Sequence, residues 1–238
     1  MSSKKIIILG GSGAIGSALA VELKKNKYSP ILISRSKEDL EKISKKIDCE
    51  YFNCDVLDTE KLSEIIKNLG SDVYGLAYCV GTINLKPLKL AKEEEYIESF
   101  KINTLGAINS IKAAQSSLIE NKGSVLLFST IAVKQGFVNH TIISSAKGAI
   151  EGLTVSLAAE FAPNIRVNCI APSLTKSKMA KNVIKNSKIE ESIAKMHPLK
   201  RIGEGSDLAN LSKFLLSKDS SWITGQIIGV DGGRSTIA

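Results

Sequence analysis

Two short stretches near the start of the chain carry the residue types that bind phosphate. Residues 9–16 read LGGSGAIG, directly after the apolar run KIIIL and directly before a helical pattern. Glycines at 10, 11, 13 and 16 let the backbone approach a pyrophosphate, whose charge is favoured by the N–H groups and dipole of the helix that follows. Strand, glycine turn and helix in that order form a dinucleotide-binding signal, with Gly10, Ser12, Gly13 and Ile15 as candidate contacts. The plainer alternative is a tight connection without ligand. The second stretch, ILISRS, ends on Ser34 and Arg35, and no carboxylate follows until Glu38. A carboxylate there would accept hydrogen bonds from a ribose 2′-OH and repel a 2′-phosphate. A hydroxyl beside a guanidinium instead offers fixed donors to phosphate oxygens. NADP(H) is therefore expected over NAD(H), a solvated Arg35 being the alternative.

These residues need elements that bring them to one edge. Apolar bursts recur at 5–9, 30–34, 72–80, 124–129, 165–170 and 226–230. Helical patterns fill the intervals at 14–27, 37–46, 59–69, 93–118, 141–161 and 206–216. Near-continuous apolar strands alternating with helices predict an α/β fold, a Rossmann-like doubly wound parallel sheet with helices on both faces, in a single domain over 1–238. Residues 175–200 are rich in Lys, Ser, Asn and Met and show no strand pattern. They predict a polar helical insertion, either a lid or a solvated surface helix.

With 238 residues, 43% of them hydrophobic, the chain can bury a large core, which excludes a disordered or fibrous protein. No apolar run approaches the ~18–20 residues of a membrane span. The opening MSSKK followed by IIILGGSGAIGSALA imitates a signal peptide, but its glycines break the apolar stretch. Lys and Arg total 32 against 24 Asp and Glu, giving a net charge of +8. The basic residues are spread along helix faces and aromatics make up only 5%, so no nucleic-acid platform is expected. Cys49, Cys54, Cys79 and Cys169 match no C-x-x-C pattern. They read as reduced thiols in a cytoplasmic protein with no metal site.

Further motifs follow: CDV at 54–56, YCVG at 78–81, FKINTLGAI at 100–108, IRVNCIAPS at 165–173, PLKRIGEGSDLAN from 198 and WITGQIIGVDGG from 222. Together with the glycine turn, they make the chain similar from end to end to the short-chain dehydrogenase/reductase family. The turn resembles the family's TGxxxGxG, with Leu9 for Thr and Ala14 for the middle Gly. The resemblance implies adenine contacts at Asp55 and Val56 and cofactor contacts at Gly81 and Pro172. It implies an active-site role for Asn103; Ser173 stands where the family has Gly.

The resemblance also implies a catalytic Ser, Tyr and Lys, the last two spaced YxxxK. Residues i and i+4 share a helix face, so the ammonium depresses the phenol pKa and holds the nicotinamide ribose while Tyr moves the proton. Here the segment reads NHTIISSAKGAIEGL: Lys147 is present, but Ile143 occupies the Tyr position. Thr130, with Ser129 beside it, occupies the Ser position. A hydrocarbon side chain can neither donate nor accept a proton. Three explanations stay open. His140, seven residues before Lys147, supplies the proton from the offset that enoyl-acyl-carrier reductases of the superfamily use for their Tyr, or else bonds only locally. Substrate or water supplies it, Ser144 being a weaker protein source. Or the chain is a cofactor-binding pseudoenzyme with a binding or regulatory output. The expectation is an NADP(H)-dependent oxidoreductase acting on a carbonyl, hydroxyl or activated double bond of a small molecule. The resemblance also implies a homotetramer or homodimer in which residues 93–118 and 141–161 pack across a two-fold axis, and no nucleic-acid or membrane partner is expected.

Overall fold

The structure, a computed structural model, describes residues 4–237. The apolar bursts become β1 (Lys5–Leu9), β2 (Ser29–Ser34), β3 (Glu50–Asn53), β4 (Val73–Tyr78), β5 (Ser124–Phe128), β6 (Arg166–Pro172) and β7 (Ile227–Val230). They pair in parallel in the order β3-β2-β1-β4-β5-β6-β7. The connecting helices are α1 (Ala14–Lys25), α2 (Lys37–Ile47), α3 (Thr59–Asn68), α4 (Glu93–Phe100), α5 (Gly106–Glu120), α6 (Ala132–Gln135), α7 (Thr141–Phe161), α8 (Ser187–Lys195) and α9 (Gly205–Leu216).

β1 shows why its sequence is apolar at every position. Ile6 and Ile8 pack with Leu19, Leu23, Leu40 and Leu208 of α1, α2 and α9. Ile7 and Leu9 pack with Leu62, Ile66, Ile111 and Ile150 of α3, α5 and α7 on the opposite face. Each such side chain, fully buried, contributes about 1.5–3 kcal/mol, so a polar residue on either face would be costly. Local chemistry sets the helix starts. Ser36 and Asp58 accept from the N–H groups of Asp39 and Lys61 at the first turns of α2 and α3. At α9, Glu204 and Asp207 form a reciprocal capping box, and Arg201 grips Asp207 with two hydrogen bonds of 2.6 and 2.8 Å.

Two elements depart from the sequence expectation. β3 has no counterpart among the predicted strands, because four half-exposed edge residues, EYFN, carry too little periodicity. The helix expected over 93–118 is interrupted by a π-helical segment at Lys101–Leu105. Widening a helix leaves polar groups to be re-satisfied, and the neighbours do this. The Tyr78 hydroxyl donates to the Ile102 carbonyl, and the Asn103 amide donates to the Ser99 carbonyl at 2.8 Å. Burial pushes the Tyr78 phenol pKa upward, so it remains a donor.

From β1 the chain winds outward to β2 and β3, then returns to β4 on the other side of β1. This reversal opens a crevice beyond the C-terminal ends of β1 and β4, where ligands bind in open parallel sheets. Residues 175–200 fold over the same end as a 3-10 turn, Ala180–Asn182, and α8.

Candidate active site

The first wall of the crevice is backbone. Gly10 adopts φ +76°, and a Cβ on it would stand 2.9 Å from the Cys79 carbonyl carbon at the end of β4. Only glycine lets the turn lie this close to β4 with that backbone conformation. Gly13 caps α1 without a side-chain hydrogen bond, and no acidic residue occupies the first turn. The leading N–H groups of α1 are therefore left to an anionic ligand, which is the geometry a pyrophosphate requires. At the end of β2, the Ser12 and Ser34 hydroxyls are 2.5 Å apart, tying the glycine turn to the residue before Arg35. Asn53 donates to the Ser34 and Arg35 carbonyls at 3.1 and 2.8 Å, which holds the β2–α2 connection against β3. The Arg35 guanidinium stays largely exposed, 3.7 Å from Asp55. Asp55 accepts from the Leu57 N–H at 3.0 Å, and Val56 is buried beneath it. These residues fit a dinucleotide with a phosphorylated or free adenosine ribose.

The second wall is a cavity of about 380 Å³ beyond β4, β5 and β6. Lys147, on α7, lies at its floor and is 6% exposed. Its ammonium donates to the Phe128 carbonyl at 2.8 Å, and a Cβ on Gly81 would be 3.4 Å from its Nζ and 3.1 Å from Asn103 Oδ1. Burial lowers the Lys147 pKa to about 8, and the buried Cys79 and Cys169 beside it supply no counter-charge there. Those thiols stay neutral, since burial pushes each to about 12. Asn103 is fully buried in the π-helical segment, and its amide also donates to Thr82 Oγ1 at 3.1 Å.

Thr130, His140, Ile143 and Pro172 line the same cavity as Lys147 and Gly81. Thr130 Oγ1 accepts from the Ala132 N–H at 3.3 Å. Ser129 points away, donating to Glu151 at 2.7 Å, and Ser144 donates to the Ala132 carbonyl. His140 sits at the N-cap of α7, with Nδ1 2.8 Å from the Val138 carbonyl. A carbonyl oxygen only accepts, so Nδ1 carries a hydrogen and Nε2 is the exchangeable atom. His140 both bonds locally and lines the cavity. Met179, Val183, Ile193 and Met196 bring the 175–200 segment onto the cavity as its outer cover.

The family model described as Enoyl-(Acyl carrier protein) reductase matches residues 11–235. Carbonyl reductase family member 4 of Danio rerio is 31% identical over 97% of this chain and 98% of its own length. The chain belongs to the short-chain dehydrogenase/reductase family. The 3-oxoacyl-[acyl-carrier-protein] reductase of Mus musculus is 32% identical over 97% of each chain. Among solved structures, ElxO with NADP bound superposes with a TM-score of 0.90 at 28% identity, covering 98% of this chain and 99% of that one.

In this short-chain dehydrogenase/reductase, sequence reasoning passed over Arg234, which lines the cavity, and His197, which lies behind the lining residue Ser173. His197 is almost fully buried, its Nδ1 2.8 Å from the Ile193 carbonyl and its Nε2 2.8 Å from Ser173 Oγ. The carbonyl fixes the proton on Nδ1, so Nε2 accepts from the Ser173 hydroxyl. Arg234 reaches the cavity from beyond β7. Neither belongs to a local pattern; the motif VDGG, which precedes Arg234, marks the place but not the side chain.

Proposed function

We propose that this protein is an NADP(H)-dependent oxidoreductase with His140, in place of tyrosine, handling the proton. Its substrate would be a small molecule with a carbonyl, a hydroxyl or an activated double bond. The observation that carries this reading is Lys147, an ammonium kept at the floor of a cavity beside Gly81 and Asn103, with its water removed and one carbonyl acceptor. A desolvated cation with spare donors favours hydroxyl-rich ligands such as a ribose. When bound, the nicotinamide would supply or accept hydride. Gly10, Ser12, Gly13 and Ile15 would hold the pyrophosphate end, Asp55 and Val56 the adenine, and Gly81 and Pro172 the nicotinamide end. Ser34 and Arg35 would bind the 2′-phosphate; the NADP in ElxO, a relative of the same fold, supports this choice.

The Thr130 oxygen already accepts from a backbone N–H, which leaves its O–H to donate to the reacting oxygen. His140 Nε2, protonated, would give its proton to that oxygen during reduction; neutral, it would take one during oxidation. Asn103 holds the π-helical segment and would position Thr82 and Gly81 rather than react. Fluorescence titration with NADPH and NADH tests the cofactor assignment, followed by turnover over a panel of ketones, aldehydes and enones. NADPH should bind about tenfold tighter than NADH. Equal affinities would remove the phosphate-reading role of Arg35, and no binding of either would sink the reading.

A second reading, a cofactor-binding pseudoenzyme, is favoured by Ile143, which lines the cavity with hydrocarbon where the family carries its acid. Ile143→Tyr discriminates the two. If the protein binds NADPH, lacks turnover and gains it in I143Y, the natural chain is the pseudoenzyme. A homo-oligomer is supported by exposed apolar side chains on α4, α7 and the segment between α4 and α5, namely Ile97, Phe100, Leu105 and Val155. Light scattering would give its mass. No helix among the described residues is long and apolar enough to cross a membrane. The four cysteines are unpaired, which supports the reducing, cytoplasmic compartment.

A further inference from the structure

The cavity walls away from Lys147 are apolar, formed by Ile83, Leu85, Met179, Val183, Ile193 and Met196. One permanent cation lines this cavity on the side of Phe137, whose ring also packs edge-on against His140 at 5.3 Å. Arg234 lies with its guanidinium carbon 4.6 Å from the centre of the Phe137 ring, which orients the planar fork. Its side-chain hydrogen bonds are weak: Nη1 to Ser173 Oγ at 3.5 Å and Nη2 to Met196 Sδ at 3.5 Å. It takes part in none of the ion pairs among the described residues. Asp231 attracts it electrostatically, but Asp231's oxygens already accept from the Gly233 and Ser235 N–H groups and from the Ser235 hydroxyl. Burial lowers the Arg234 pKa, the cost of partly drying a charge without a carboxylate against it.

Ser173, the residue that stands in place of the family's glycine, is itself fixed. Its hydroxyl donates to His197 Nε2 at 2.8 Å, so its oxygen lone pairs face Arg234. A chain of Ile193 carbonyl, His197, Ser173 and Arg234 therefore holds the guanidinium on the cavity wall. A planar cation whose Nη1 and Nη2 each keep a further hydrogen beyond one long contact, set against a hydrocarbon-lined space, matches a carboxylate on an apolar chain.

We infer that Arg234 is a carboxylate-binding residue and that the substrate of this site is an amphipathic monocarboxylate, its apolar body in the cavity and its acid end on the guanidinium. The inference rests on the oxidoreductase reading for what happens at Thr130 and His140, but the binding step can be measured by itself. Octanoate, methyl octanoate, octylamine and octyl phosphate, each below its micellar concentration, are titrated calorimetrically into the NADPH-loaded protein. The series is repeated with Arg234→Gln and Arg234→Lys. Octanoate should bind about tenfold tighter than methyl octanoate, and octylamine more weakly than either. R234Q should erase the octanoate preference, while R234K, which keeps the charge but not the fork, should retain part of it.

Equal binding of octanoate and its ester, or a preference that survives in R234Q, overturns the inference. Octyl phosphate binding tenfold tighter than octanoate would overturn the carboxylate assignment. NADPH is titrated separately into every variant as the check on folding. If NADPH fails to bind the natural protein, the oxidoreductase reading falls, and the octanoate comparison is then made on the cofactor-free protein.

Discussion

The crevice has two walls, and they are built from different materials. On the side of β1 and β2, the site is a backbone turn: a glycine at φ +76°, a helix start without an acidic residue, and two hydroxyls in contact. On the side of β5, β6 and α7, the site is side chains: a buried ammonium, a threonine, a histidine and an isoleucine. The first wall retains the family's pattern with mild exchanges. The second, by resemblance to the family, carries Ile143 where a tyrosine is expected. Backbone geometry tolerates drift in residue type as long as the glycines remain, whereas proton transfer depends on one functional group, and a single substitution removes it.

The comparison breaks most visibly at His140. If a side chain has replaced the missing phenol, His140→Ala should lower kcat by about 10²–10⁴ with NADPH affinity unchanged. Steady-state kinetics across pH check this, and an H140A enzyme with natural turnover and pH profile would remove His140 from the mechanism. On the backbone wall, Gly10→Ala meets the strained φ and the contact with β4 together. It should weaken NADPH binding about thirtyfold, equivalent to about 2 kcal/mol of backbone strain. Fluorescence titration reads it, and unchanged affinity would mean that the turn has room for a side chain.

Lys147 joins the two walls, and pH separates its effects. Its folded pKa of about 8 lies below the ordinary lysine value of 10.5 because burial disfavours the charge. Below pH 8, folded and unfolded chains both carry the proton, and the desolvation cost is present in full. Between pH 8 and 10.5 the folded chain releases the proton while the unfolded chain keeps it, so the contribution of Lys147 to stability rises with pH. Cofactor affinity, which uses the ammonium, should fall by about tenfold between pH 7 and 9.5. Urea midpoints and NADPH titrations over this range should move in opposite directions for the natural protein, and Lys147→Met should flatten both. The smallest effect belongs to Arg35, whose side chain is 73% exposed beside Asp55. Arg35→Gln should reduce the preference for NADPH over NADH about fivefold, in line with the modest worth of exposed charge pairs.

Much of this was legible before the fold. Thr141–Phe161 runs over the predicted residues, because its pattern is long and flanked by turn residues. The residues 93–118 carry equally good helical periodicity, yet the helix opens at Lys101–Leu105. The phenol of Tyr78 and the amide of Asn103 satisfy the widened turn there, and hydrogen bonds across that distance leave no trace in a local pattern. β3 escaped notice for the opposite reason, since a short edge strand needs only its neighbour β2, not a hydrophobic face of its own. The pairing of Ser173 with Arg234 was illegible. Ser173 reads as a residue standing where the family has glycine, Arg234 belongs to no motif, and only their 3.5 Å contact joins them.

By itself the sequence determined the fold class and the glycine turn between β1 and α1, because both follow from local rules. Strand and helix periods are written in consecutive residues, and a phosphate cradle needs little more than glycines between a strand and a helix. Tertiary structure decided what surrounds the reacting group. It brought His140, Ile143 and Lys147 into one cavity with Thr130, and it set Arg234 on Phe137 in the wall of that cavity. The physical reason is desolvation. The worth of a charge or a proton donor depends on what excludes water from it and what hydrogen-bonds to it. For Lys147 and Arg234, those neighbours come from strands and loops distant in the chain.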